Sequence, residues 1–495
     1  MSSEDVRTAV QGRVLDVLSK QVTYGNDGPL TSTTASGLRG KGLDTLKTIL
    51  QTTGHTLLTG WETIFEMLDS VCKPIWAPAT PLTTTSEISM NNSPVLSPIK
   101  GRGQAFTASE KADERLVRTA FQSLTIVCDH LALLSPDNLR LCITTIAHFG
   151  RQTDTNIALT SAASLLWTVS DSIQSKRMDP AVEPEYSVLW MLLLSELLGL
   201  CTDSRREVRA GAIQTLFRTL QLYGATLSGE IWHQCLWEVV FPVLDNITAA
   251  MRSSVASPSD SDPAADPIHA VDHWSDSKIL ALQSVGGIFH DFLISKIMSL
   301  DSFDKAWNVF VSHMRDSALL DHRTVSTAAL RCLEKSVIAA TSAEVDPYET
   351  QGRIVWNATW EAIDLVGHAI QTSSNSPKPK SPVTPRATAP SVAPFTQEAL
   401  LALLDVLSAT RIASKKFEHG QEWPLEQLSR TLAILKAILT YQCSPDYRPD
   451  IDALSPVQVH PNSRSMRFWA DMCVCRRRCS SLSSLSTSRS RRHLR

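Results

Sequence analysis

The chain has no large excess of charge, few aromatic residues and no long apolar run. Its 495 residues carry a formal net charge of −3, and 6% of them are aromatic. Because a nearly neutral chain does not attract polyanions as a whole, we expect no nucleic acid among its partners. The longest apolar run, residues 188–200, contains Glu196 and is shorter than the roughly 20 residues that a membrane span needs. We therefore expect any membrane contact to be peripheral.

Cysteine pairs and a secretory signal are also missing from the sequence. Six of the ten cysteines stand alone in apolar helical contexts, without the spacings typical of disulfide frameworks: Cys72, Cys128, Cys142, Cys201, Cys235 and Cys332. We interpret them as small buried side chains in a reducing compartment. Residues 1–10 are polar and charged, so they lack the apolar core of a secretory signal. These features predict a cytoplasmic protein.

Motifs that support catalysis or cofactor binding are absent. The sequence has no phosphate-binding loop of the Gly-x-x-x-x-Gly-Lys-Ser/Thr type, no zinc-binding His-Glu-x-x-His and no Gly-x-Ser-x-Gly. Three weaker candidates are a glycine-rich stretch interpreted as a flexible helix start, a His–Asp pair without a nucleophile, and a cysteine cluster that lacks a fourth zinc ligand: residues 37–42, His290 with Asp291, and Cys473, Cys475 and Cys479. We therefore predict no catalytic, cofactor or metal site, and no enzyme.

Helical periodicity dominates the sequence that remains. In residues 204–223 the stripe Val208, Ala212, Leu216 and Leu220 recurs every four residues. Ser204 and Glu207 have the spacing of a capping box, and Gly224 follows as the helix stop. The next segment, 229–247, repeats an apolar face and predicts a helical hairpin. No Asn-Gly or Asp-Gly turn between alternating strand patterns competes with this interpretation, so the expected fold is all-α.

A repeated motif at four helix starts predicts the architecture. A Val-Arg or Val-Ser step followed by small residues occurs four times, at 6–9, 117–120, 208–211 and 325–328, and Asp203 and Asp321 precede two of the copies. This pattern is typical of the second helix of a HEAT repeat. Its small residues allow close helix packing, and its Asp and Arg bind each other or a neighbouring helix end. The alternative is coincidence among amphipathic helices. We predict a HEAT/armadillo-like α-solenoid of helical hairpins interrupted by disordered loops.

The composition divides this solenoid into segments. Helical repeats are predicted at 1–76, HEAT-like repeats at 111–250 and 271–370, and a helical hairpin at 397–443. Disordered stretches are predicted for a Thr/Ser/Pro-rich linker, an acidic loop, a Pro/Ser-rich linker and a basic tail: residues 77–110, 251–270, 371–396 and 444–495. The tail is either a basic arm for anionic lipid or nucleic acid, or an out-of-frame or truncated gene-model end. Lipidation of its cysteines is a weaker alternative.

Ser-Pro and Thr-Pro steps in the linkers predict phosphorylation. The candidates are Ser97, Ser376, Ser381 and Thr384, and basic residues follow Ser97 and Ser376 closely, as proline-directed kinases favour. Phosphate groups there would add charge to a disordered loop and change its docking. An inert spacer is the equal alternative.

Several long strings resemble one protein family. They are residues 54–68, 207–220, 232–245, 277–292 and 303–333. Together they are similar to the C-terminal helical region of the Mon-two family, which comprises large Golgi and endosome proteins related to the BIG-type Arf exchange factors. The resemblance covers about residues 1–440. It implies a peripheral membrane scaffold on the Golgi, the trans-Golgi network and endosomes, with an Arf-like GTPase, a Dopey-type partner and a phospholipid flippase as partners.

The same resemblance limits what is expected of the chain. The exchange-factor relatives carry a glutamate finger in a Phe-Arg-Leu-Pro-Gly-Glu motif, which this sequence lacks, so exchange activity is not implied. Family members are much longer, which predicts a fragment without the family's N-terminal dimerisation and GTPase-binding regions. We therefore expect a non-enzymatic scaffold in Golgi–endosome trafficking and protein transport. The alternatives are a HEAT-repeat adaptor of another class, such as a nuclear-transport receptor, and an enzyme with an unrecognised site.

Overall fold

A computed structural model describes residues 3–23, 32–72, 108–177, 183–256, 267–320, 322–375 and 395–441. Helices and short connections account for all of these ranges, and none of them contains a β-strand. The chain divides into two compact units, 1–216 and 217–495, and the boundary falls inside one helix.

The first unit is built from eight helices and the start of a ninth within its described ranges. They are α1 Ser3–Thr23, α2 Ser32–Thr53, α3 Trp61–Asp69, α4 Ala108–Cys128, α5 Pro136–Gly150, α6 Thr155–Thr160, α7 Leu166–Arg177, α8 Glu183–Leu200 and α9 Arg206–Tyr223. A π-helical turn, Ser161–Leu165, joins α6 to α7. Helices α1, α3, α5 and α8 pack side by side in one layer, and α2 packs against α4 in the other.

The second unit repeats this plan. Its helices are α10 Gly229–Gln234, α11 Phe241–Ala256, α12 Pro267–Phe292, α13 Phe303–Ala318, α14 Arg323–Thr341, α15 Val345–Asn375, α16 Gln397–Phe417 and α17 Leu425–Thr440. One layer contains α12, α14 and α16, and the other contains α11, α13, α15 and α17. Contacts of α11 with α12, α13 with α14 and α15 with α16 connect the layers as hairpins. The fold is therefore all-α and of the α-solenoid class, as predicted.

Polar residues at the helix starts explain several of these bounds. Ser135, Asp154, Ser228 and Thr396 each accept a backbone N–H from the first turn of the helix that follows. Such caps satisfy amide groups that have no partner within the helix. Pro136 occupies the first position of α5, where its missing N–H costs nothing.

Small residues set the distance between helices, as the repeat motif predicted. A Cβ atom on Gly211 of α9 would lie 2.9 Å from the side chain of Leu159 and 3.3 Å from that of Ala163. The stripe on α9 is buried as predicted, since Val208, Ala212 and Leu216 are each 0% exposed. No helix in the described ranges is both long and apolar enough to cross a membrane.

Most residues of the three predicted disordered linkers and loops, and the whole predicted basic tail, lie outside the described residues. Helices nevertheless extend into their edges: α4 begins at Ala108, α11 ends at Ala256, α12 begins at Pro267 and α15 ends at Asn375. In the serine-rich end of α11, the Ser253 hydroxyl donates to the Ala249 carbonyl one turn earlier. The helical hairpins are observed. Their assignment to HEAT repeats is a narrower statement and remains a prediction.

Candidate functional site: a polar seam in the first unit

Arg205, in the loop before α9, is the centre of a hydrogen-bonded cluster. We name this cluster the polar seam; it consists of Gln152, Asp154, Asp203, Arg205 and Arg209. The Arg205 guanidinium donates from Nε to Asp203 Oδ1 at 2.9 Å and from Nη2 to Asp203 Oδ2 at 2.8 Å. Its Nη1 donates to the Gln152 carbonyl at 2.6 Å, and Nη2 lies 3.4 Å from the Gly150 carbonyl. One side chain thus forms a bidentate ion pair and also caps the carboxyl end of α5.

Arg209, the arginine of the third copy of the repeat motif, lies beneath this loop. Its side chain is 0% exposed, and Nη1 donates to the carbonyls of Asp203 and Ser204 at 2.7 and 3.3 Å. Burial lowers the pKa of Arg209. Burial alone would raise the pKa of Asp203, but hydrogen bonds and charge from Arg205 outweigh it and hold that pKa below its usual value. Both groups therefore remain charged and fix the loop.

The second copy of the motif contacts the same seam from α4. Arg118 Nε lies 3.2 Å from Asp154 Oδ2, while Asp154 Oδ1 accepts the amides of Asn156 and Ile157. The side chain of Arg118 is 60% exposed, so this ion pair contributes little stability. At the second copy the Arg of the motif thus binds a neighbouring helix end, because Asp154 caps α6. At the third copy the Arg of the motif binds the Asp203 and Ser204 carbonyls, and the Asp203 carboxylate binds Arg205 instead.

A cavity of about 220 Å³ opens beside the seam. Its lining combines the start of α4 with the loop between α5 and α6: Asp113, Glu114, Val117, Arg151, Gln152, Thr153, Asp154 and Ile157. Arg151 is already engaged, because its Nη2 donates to Glu196 at 2.7 Å. Carboxylates that are paired or used as helix caps serve to position helices, so the cavity fits a role in binding better than one in catalysis.

A second cavity, about 440 Å³, runs along the exposed side of α1. Val10, Val14 and Val17 line it and are 55%, 44% and 66% exposed, with Arg13 at its edge. An apolar groove beside a helix of this kind fits another helix rather than a small polar ligand.

Two of the features that sequence analysis weighed for chemistry lie on helices that the structure describes. His290 Nδ1 lies 2.9 Å from the neighbouring Asp291 carboxylate, and both side chains are about half exposed at the end of α12. Residues 37–42 lie inside α2, so the prediction of a flexible helix start was wrong; α2 already begins at Ser32. In the part of the chain that the structure describes, no three His, Cys, Asp or Glu residues are placed to bind a metal ion.

Of the other residues, the structure describes the cysteines of the helices, but it does not describe the phosphorylation candidates. Cys128, Cys142, Cys201, Cys235 and Cys332 are buried as predicted, and Cys72 is partly exposed. Several tryptophans of the helices are buried as well, among them Trp61, Trp190, Trp232, Trp307 and Trp360. The phosphorylation candidates Ser97, Ser376, Ser381 and Thr384 and the cysteines of the tail lie outside the described residues.

Sequence analysis missed Lys278, which is 1% exposed in the second unit. Its ammonium donates to Thr248 Oγ1 at 2.7 Å and to the Leu244 carbonyl at 3.2 Å. Burial lowers the pKa of Lys278 to about 8. A signal was present: Lys278 precedes the buried Leu282 by four residues and Val285 by seven, which places it on the apolar stripe of α12.

Comparison with known proteins shows which family and which relatives this chain resembles. Residues 173–377 match the family described as the C-terminal region of Mon2 protein. A MON2 homolog of Drosophila melanogaster is 30% identical over 383 residues, which cover 70% of this chain and 20% of that protein. A MON2 homolog of Homo sapiens is 30% identical over 259 residues, covering 45% of this chain and 15% of that protein.

A more distant relative is Brefeldin A-inhibited guanine nucleotide-exchange protein 2 of Arabidopsis thaliana. It is 32% identical over 134 residues, which cover 24% of this chain and 7% of that protein. The chain spans about a fifth or less of the length of these relatives. Residues 173–377 thus match the C-terminal region of the Mon2 family, and the similarity to Mon2 homologues extends over as much as 70% of the chain.

Proposed function

We propose that the chain is a non-enzymatic scaffold in Golgi–endosome vesicle trafficking and protein transport. The match of residues 173–377 to the C-terminal region of Mon2 protein carries the proposal. The layered helical hairpins support it, because stacked helices offer long surfaces for protein partners. The scaffold would act in the cytoplasm, peripherally on membranes of the Golgi, the trans-Golgi network and endosomes.

The partners that we propose follow from the family resemblance: an Arf-like GTPase, a Dopey-type protein and a phospholipid flippase. Phosphorylation of Ser97, Ser376, Ser381 or Thr384 would tune such contacts by adding about −1.5 to −2 charges to each modified residue. Phosphopeptide mass spectrometry of the protein purified from cells tests this part. Unmodified serines and threonine at all four positions would remove it.

Membrane fractionation tests the peripheral scaffold. Tagged chain should sediment with Golgi and endosome markers and leave the membrane in alkaline carbonate, because no integral anchor is proposed. Recovery with nuclear-envelope markers instead would favour the alternative adaptor, a nuclear-transport receptor. Recovery only in the supernatant would contradict membrane association.

Guanine-nucleotide release tests the non-enzymatic part, since the Arabidopsis relative is named as an exchange protein. Purified chain is mixed with Arf-family GTPases loaded with a fluorescent nucleotide, and an active exchange domain serves as the positive control. We expect the rate of release to equal that of the GTPase alone. Acceleration that scales with the concentration of the chain would overturn the proposal of a non-enzyme.

A further inference from the structure

Helices α14 and α16 of the second unit lie side by side and run in the same direction. Near their starts, the hydroxyls of Thr327 and Thr396 lie 3.0 Å apart. Further along, Arg331 Nη1 donates to Asp405 Oδ2 at 3.2 Å, across a separation of 74 residues. Near their ends, Lys416 Nζ donates to the Thr341 carbonyl at 2.7 Å, across 75 residues. Arg331 also lies 3.9 Å from Glu398, across 67 residues. A residue of α14 therefore lies level with residues 67 to 75 positions later, about 71 on average.

This register places two exposed isoleucines within about one helical turn of each other. Ile338 of α14 is 42% exposed and Ile412 of α16 is 57% exposed. Their neighbours on the same helices, such as Val337 and Ala413, are 0% exposed, so the exposed strip of each helix is narrow. Packed helices lie about 8–10 Å apart, so the two isoleucine side chains form one apolar pair of about that spacing.

Two lysines extend the pair into a diagonal row. Lys335 precedes Ile338 by one turn on α14, and Lys415 follows Ile412 by one turn on α16. Both are exposed, and neither ammonium group has a hydrogen-bond or carboxylate partner among the residues that the structure describes. About nine residues of axial offset at about 1.5 Å each, combined with the helix spacing, separate the two lysines by about 16 Å.

The other cations of these helices are engaged. Arg331 pairs with Glu334 at 2.7 Å and with Asp405, and Lys416 bonds the Thr341 carbonyl. The uncompensated charge is therefore concentrated on the two lysines that flank the isoleucines. We name Lys335, Ile338, Ile412 and Lys415 the α14/α16 patch.

We propose that the α14/α16 patch docks an acidic amphipathic helix of a partner protein. Apolar residues seven positions apart on a helix are about 10.5 Å apart on one face, which matches the isoleucine pair. Carboxylates outside them would meet Lys335 and Lys415. An anionic bilayer is a poorer match, because lipid-binding surfaces typically cluster four to eight basic residues and this patch has two unpaired ones.

Fluorescence anisotropy with designed peptides tests the proposal. The probe is a labelled 18-residue helical peptide with two leucines seven positions apart and glutamates on either side. A second peptide replaces the glutamates with lysines, and a third replaces the leucines with serines. We expect the full chain to bind the first peptide and to bind each of the others at least about tenfold more weakly.

Variants of the chain locate the binding. Ile338→Ser and Ile412→Ser should each weaken binding of the acidic peptide about tenfold, and Lys335→Glu combined with Lys415→Glu should do the same. Matched controls lie on α17: Leu425→Ser, at a side chain that is 71% exposed, and Lys436→Glu, also exposed, should leave binding unchanged. Circular dichroism confirms that every variant is folded, as expected for exposed positions.

Any of three results of the peptide assay would overturn the proposal. The acidic peptide fails to bind the folded chain, the patch variants bind it as tightly as the original chain does, or the α17 controls weaken binding equally. Vesicles of 70% phosphatidylcholine and 30% phosphatidylserine supply the competing test. If vesicle binding, rather than peptide binding, is lost in the patch variants, the patch is a membrane contact and the proposal is wrong.

Discussion

Lys278 places an ammonium group in the interior of the second unit, and replacing it with methionine should stabilise the protein at neutral pH. Burial lowers the pKa of Lys278 from 10.5 to about 8, although nearby Asp245 opposes the shift. At about 1.4 kcal/mol per pKa unit, the buried charge costs about 3 kcal/mol at pH 7. Methionine keeps the apolar stem, and Thr248 continues to donate to the Leu244 carbonyl at 2.6 Å. We expect Lys278→Met to raise the free energy of unfolding at pH 7 by about 1–3 kcal/mol.

The stability difference between Lys278→Met and the original chain should change with pH in a definite direction. The folded chain releases the Lys278 proton near pH 8, and the unfolded chain releases it near pH 10.5. Between these values the unfolded state binds more protons, so the original chain gains stability as pH rises. The methionine variant has no such proton. Its advantage should therefore be constant below pH 8 and shrink by about 3 kcal/mol by pH 10.5.

Urea unfolding followed by circular dichroism at five pH values from 7 to 10.5 measures this difference. Lys436→Met, at an exposed position of α17, is the matched control and should show no pH-dependent difference from the original chain. Arg252, Asp245, His313, Asp316 and Cys332 also face the site. The charge of Lys278 adds to the lowering of the pKa of His313 and opposes the rise in the pKa of Cys332, so the methionine variant loses both effects together with the Lys278 proton. A difference between Lys278→Met and the original chain that stays constant across the pH range would refute the reasoning.

Three other substitutions test packing and pairing. Gly352→Ala should lower stability by about 1–3 kcal/mol, because its Cβ would lie 2.3 Å from the buried Phe417 ring; an unchanged urea midpoint would contradict this. His148→Gln should destabilise the chain below pH 6.5 and lose this effect as pH rises through the folded pKa of His148, which a hydrogen bond to Asp69 raises; urea midpoints at pH 5.5 and 8.5 measure it. Leu216→Asp buries an unpaired charge at a position that is 0% exposed, and thermal unfolding should show a loss of more than about 4 kcal/mol.

Local patterns were sufficient to predict the helices but not all of their starts. The stripe of Val208 and Leu216 predicted the buried face of α9, and Gly224 correctly marked the end of that helix, which stops at Tyr223. The predicted start at Ser204 was two residues early. In the structure α9 begins at Arg206, and Asp203 rather than Ser204 accepts the Arg205 amide at 2.8 Å. An ionised carboxylate accepts such a bond more strongly than a hydroxyl does.

Contacts between distant residues could not be predicted from the same patterns. Arg205 reaches a carbonyl 53 residues earlier in the chain, and a local window contains no information on that distance. The π-helical turn of residues 235–240 shifts the register between α10 and α11, although the sequence predicted one uninterrupted helix there. The alignment of Ile338 with Ile412 likewise depends on how two helices pack. The family resemblance, in contrast, rests on long contiguous sequence segments, so it could be identified without knowing how the helices pack.

Live imaging of the tagged chain, with and without residues 471–495, tests the central claim most directly. The account predicts puncta that coincide with Golgi and endosome markers in both forms, because the helical body carries the recognition. Diffuse fluorescence in both forms, or fluorescence at the nuclear rim, would contradict a Golgi–endosome scaffold built on these helices.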